Sequence, residues 1–68
     1  MNPEVFNLEL RKFLKQFGVA AQREVEKAVA AAIASGKLKG NETLQARARI
    51  EIGSIALSAG VEGDVKLA

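Results

Sequence analysis

The chain has 68 residues, ten basic and eight acidic side chains, no cysteine and no histidine. Those two absences exclude disulfides, Cys/His zinc sites, thiol nucleophiles and imidazole bases together. A 49% hydrophobic content is a folding composition, yet a single domain this small buries little surface, and association is the staple left to it.

A net charge of +2 is a weaker bias than nucleic-acid binders of this size usually carry. No segment approaches the ~18 apolar residues that would span a bilayer. The N-terminal run has an acid and no basic stretch before its apolar residues, so no signal peptide is expected. A cytoplasmic location fits the lack of cysteine.

The first helix is expected over about residues 3–17. Asn2 is an N-cap, Pro3 suits the first helical position, and Glu4 sits where the helix dipole favours an acid. Phe6, Leu10, Phe13 and Phe17, with Leu14 alongside, form a helical stripe holding all three aromatic residues. The stripe reads as core filling, with a phenylalanine-lined ligand pocket as the alternative. Leu8 falls on the opposite side among Glu4, Arg11, Lys12 and Lys15. It is either a solitary exposed leucine or, with Val5, a contact for a second subunit.

Gly18 reads as a left-handed helix end, so Gly18-Val19 is expected to make a tight corner. A second helix then runs over about residues 20–35 and serves as the piece against which the rest packs. Val25, Val29, Ala32 and Ile33 form its stripe, and no charge lies between Ala28 and Ser35. Ala30 and Ala34 point away from that stripe, which makes them candidates, with Leu8, for meeting a protein partner. Gly36 reads as the C-terminal cap.

Two resemblances attach to these residues. FGVAAQREVEKAV resembles a helix-turn-helix, and a hairpin downstream would then look like the wing of a winged helix. That resemblance implies Gln22, Arg23, Glu26 and Lys27 facing a DNA major groove, with Glu24 and Glu26 opposing the phosphates. The runs FNLELRKFLK, GVAAQREVEKAV and ASGKLKGNETL carry a resemblance over nearly the whole chain, weaker in the strand region, to a family of short bacterial proteins of unknown function. That family implies a small stand-alone bacterial protein, no assigned activity and no site residues.

After Gly40-Asn41 the period changes to two. Leu44, Ala46, Ala48, Ile50 and Ile52 alternate with polar residues, and so do Ile55, Leu57, Ala59 and Val61 after Gly53-Ser54. A two-residue turn at Gly53-Ser54 would pair Ile50 with Leu57 and Ala48 with Ala59 on one apolar face. Strands are expected over about 44–52, 55–61 and 65–68, the third following a turn at Glu62-Gly63-Asp64.

Chemistry finds little support. Ser35, Thr43, Ser54 and Ser58 lack an imidazole to activate them, and GKLKG lacks P-loop spacing. No enzyme activity, cofactor or metal is expected. Arg23, Lys27, Arg47 and Arg49 are the candidate phosphate contacts, read alternatively as solvated faces, and no aromatic outside the first stripe could stack on bases.

The expected architecture is α+β: two N-terminal helices packed on a C-terminal antiparallel hairpin or three-stranded meander. The expected role is that of a small protein-interaction or structural protein, bound to an unidentified partner or to copies of itself. Weak nucleic-acid binding by a winged-helix-like fold is the alternative.

Overall fold

The computed structural model describes all residues, 1–68. The chain divides into two units, Met1–Lys37 and Leu38–Ala68. The first holds one α-helix, α1 (Pro3–Ala34); the second holds strands β1 (Thr43–Ile52) and β2 (Leu57–Lys66), joined through a 3-10 turn at Gly53–Ile55. This is an α+β chain with one helix and two strands, where the sequence suggested two helices and a third strand.

The helix starts as its residues dictate. The Asn2 side chain accepts hydrogen bonds from the Glu4 and Val5 amides at 3.0 and 3.2 Å, which satisfies two donors that have no partner inside the helix. Pro3 occupies the first turn, where its missing N–H costs nothing. At the other end Ser35 is the cap residue, and Gly36 follows at φ 82°, in the left-handed region that glycine enters freely. The Gly36 amide donates to the Ile33 carbonyl at 3.1 Å.

The expected corner at Gly18-Val19 is absent. Gly18 is helical and is not among the glycines of positive φ. A glycine inside a helix costs only about 1 kcal/mol relative to alanine. Good helix formers surround this one, and no proline follows. One helix also carries the apolar line across the glycine, because Phe17, Ala21 and Val25 step by four residues, while Val29 and Ile33 turn away from that line. With the corner gone, the helix-turn-helix resemblance lacks its turn.

In the hairpin all ten residues of β1 pair with β2, from Thr43 opposite Lys66 to Ile52 opposite Leu57. Ile50 lies opposite Ala59 and Ala48 opposite Val61, a shift of two residues from the expected register. The shift arises at the turn. Gly53 does not take the positive φ that a II′ turn requires. Instead Gly53–Ile55 forms a 3-10 turn closed by the Ala56 amide donating to the Gly53 carbonyl at 3.1 Å, and Ala56 takes the left-handed conformation at φ 53°. A four-residue loop replaces the two-residue one.

Because the side-chain period of a strand is two, this shift preserves the faces. Leu44, Ala46, Ala48, Ile50 and Ile52 share one face with Leu57, Ala59, Val61, Gly63 and Val65. The turn expected at Glu62-Gly63-Asp64 does not form. These residues stay extended, opposite Arg47, Ala46 and Gln45. Folding back there would have left the start of β1 without a backbone partner.

Neither unit contains a buried residue. Within the helical unit by itself, the phenylalanine stripe is half exposed.

Candidate interaction surfaces

At 3.6 residues per turn, Phe6, Leu10, Phe13, Phe17, Ala21, Val25, Ala28 and Ala32 form one continuous stripe along α1, with Leu14 at its margin. The helix is ~48 Å long at 1.5 Å per residue. Phe6, Phe13 and Phe17 are 51%, 53% and 48% exposed. Glu24 is the one charged residue on the stripe, and its carboxylate lies 3.9 Å from Lys27 Nζ at the margin. Sequence reasoning missed this continuity. The signal for it is the four-residue spacing of Phe17, Ala21 and Val25 across Gly18.

The other candidates on the helix do not gather. Leu8, 67% exposed, and Ala30 lie on the side away from the stripe, and Ala34 lies toward its edge. Leu8 and Ala30 are 22 residues apart on one helix, ~33 Å along the axis, with Lys12, Lys15, Arg23 and Glu26 between them. They form no single apolar patch.

The basic candidates are locally balanced. Arg23 and Lys27 stand on an exposed part of α1 with Glu24 and Glu26 beside them. Arg47 and Arg49 lie on the polar face of the hairpin. Arg47 Nε is 3.4 Å from Glu62 Oε1, and Arg49 Nη1 donates to Ser58 Oγ at 2.6 Å. That face carries Arg47, Arg49 and Lys66 against Glu51, Glu62 and Asp64, so its charges cancel.

The segment before β1 is held by Glu42. Its carboxylate accepts the amides of Lys39 at 2.8 Å, Gly40 at 2.9 Å and Asn41 at 3.2 Å. The Lys39 amide foremost, then that of Gly40, holds the Glu42 carboxyl below the usual range, since donors to a carboxylate favour its charged form. The glycine-lysine loop thus directs these three N–H groups at its own side chain. No three acidic side chains gather into a set that could hold a metal ion. No helix is long and apolar enough to cross a membrane.

No curated protein and no solved structure matches the chain. The model of one family matches it from residue 1 to residue 68, so the chain belongs to DUF6494, a family of unknown function.

Proposed function

We propose that this chain is a small non-enzymatic protein-interaction protein whose working surface is the apolar stripe of α1. The observation that carries the reading is the half exposure of Phe6, Phe13 and Phe17 on a continuous stripe of a helix with no buried residue. A contiguous apolar patch of that extent is unusual on a free monomer and marks an interaction site. Its shape, a narrow row on a straight helix, suits another helix or an apolar groove.

The non-enzymatic part of the proposal rests on composition, since the chain has no histidine or cysteine to supply a base or nucleophile near neutral pH. The nucleic-acid reading of Arg23, Lys27, Arg47 and Arg49 is weaker, because Lys27 and Arg47 each stand beside a carboxylate.

A photo-crosslinking side chain at Phe13, compared with one at Lys12 on the far side of the helix, tests the proposal in the source cell. The expected result is a crosslink to a protein chain from position 13, several-fold stronger than from position 12. Equal yields at both positions, or adducts that nuclease removes, overturn it.

A further inference from the structure

We propose that the occupant of the α1 stripe is the same stripe of a second copy of this chain, laid antiparallel about a twofold axis at Val19. This rests on the interaction reading above and names the partner.

The spacing of the stripe carries the argument. Residues 6, 10, 13, 17, 21, 25, 28 and 32 are separated by steps of 4, 3, 4, 4, 4, 3 and 4, a series that reads the same in both directions. Reversing the helix about Val19 superposes each of these eight positions on another, and sets Glu24 opposite Leu14. Phe6 then meets Ala32, Leu10 meets Ala28, Phe13 meets Val25 and Phe17 meets Ala21. Each large side chain faces a smaller one, and every layer has a comparable combined volume, as close packing of two helices at one separation requires. A parallel pair would stack phenylalanine on phenylalanine at one end and alanine on alanine at the other. No single interhelical distance satisfies both ends.

One flank agrees. In an antiparallel pair each edge of the stripe meets the same edge of the partner helix. On one edge Glu9 comes within a helical turn of Lys27, an opposite-charge pair that favours this orientation. Near the axis stand Gly18 and Ala20. A methyl group added at Gly18 meets nothing within 4 Å in the single chain, so the chain's own packing does not demand a glycine there. Two small residues beside a twofold axis let two backbones approach.

The test combines mass and geometry. Sedimentation over a range of concentrations in ~0.5 M salt, which screens loose ionic contacts, is expected to show a reversible dimer. The chain has no cysteine, so a Glu4→Cys variant takes one nitroxide label on the polar side of the helix. Antiparallel pairing sets the two labels ~45 Å apart along the axis, whereas parallel pairing holds them within ~20 Å. Phe6→Ala is expected to weaken the dimer at least tenfold, and Phe6→Ala with Ala32→Phe in the same chain is expected to restore most of the loss.

A short label distance, or a double variant no better than Phe6→Ala alone, overturns the inference. So does a monomer at all concentrations. In each of those cases the interaction reading still stands if Phe13 crosslinks to a different protein. It falls only when the position-13 crosslink also fails.

Discussion

Arg47 and Glu62 face each other across the middle of the hairpin, with the guanidinium Nε 3.4 Å from the carboxylate. The pair exists because β2 runs straight through Glu62-Gly63-Asp64. Both side chains are more than half exposed, so their mutual contribution is modest, about 0.2–1 kcal/mol for a directly opposed cross-strand pair. Glu62→Lys should lower hairpin stability by that order, and Arg47→Glu combined with Glu62→Lys should recover it. A double-mutant cycle by thermal unfolding measures the coupling. Zero coupling would show the contact to be incidental.

The same ladder is checked directly by NMR. Cross-strand contacts should pair Ile50 with Ala59 and Ile52 with Leu57. Contacts between Ile50 and Leu57 as direct partners would restore the two-residue turn and contradict the four-residue loop.

The faces of this hairpin were legible in the sequence while its register was not, and the reason is physical. Alternation has period two, so a shift of two residues leaves every apolar side chain on the same face. Periodicity can therefore fix the face of Ile50 without fixing its partner. The register depends on the turn, where Gly53-Ser54 suggested one backbone conformation and Ala56 adopts another. Asn2 and Gly36 were read correctly because capping depends on local hydrogen bonds and backbone freedom. Gly18 misled because a glycine can end a helix or pass through one. The difference lies in whether the apolar phase continues beyond it, and Phe17-Ala21-Val25 continues it. On the helix, periodicity places the phenylalanines on one line, while spacing alone does not say what covers that line.

Ala56 sits at φ 53°, where a Cβ is crowded against the following carbonyl at a cost of roughly 1–2 kcal/mol. Replacing it with glycine removes that strain but loosens the unfolded chain, which offsets part of the gain. Ala56→Gly should therefore stabilise the hairpin unit by about 0.5–1 kcal/mol. Slower amide exchange at Ile52 and Leu57 would report it. Unchanged or faster exchange would mean that the left-handed turn carries no strain to relieve.

Gly18 is helical, and a methyl group there has open space. Gly18→Ala should raise the stability of α1 by about 0.5–1 kcal/mol in a single chain, whereas Gly18→Pro should break the helix at a cost of ~3 kcal/mol. Far-ultraviolet circular dichroism at low concentration measures both. If two helices packed closely at this position, the alanine variant would be stabilised when dilute and weakened in association when concentrated. That contrast separates the helix's own preference from packing against a second chain.

The Glu42 carboxylate gives the loop before β1 a dependence on acid. Its three amide contacts, with Lys39 the shortest at 2.8 Å, lower its folded pKa. In the unfolded chain those contacts are gone, and the group titrates near the ordinary glutamate value of ~4.3. The folded state then binds its proton less readily than the unfolded state. The resulting stabilisation is fully present above the unfolded pKa and is lost as pH falls through the depressed folded value. Between neutral pH and about pH 5 the loop should be indifferent to pH on this account; below ~4.3 its hold should weaken. The carboxyl ¹³C shift of Glu42 should show a midpoint below ~4.3, and exchange of the Lys39 and Gly40 amides, corrected for its intrinsic pH dependence, should accelerate over the same interval. Glu42→Gln keeps one acceptor oxygen but never carries the charge, so those amides should exchange faster at neutral pH and lose their acid sensitivity. A Glu42 midpoint at or above the ordinary value would mean that the three N–H groups do not converge on the carboxylate in solution.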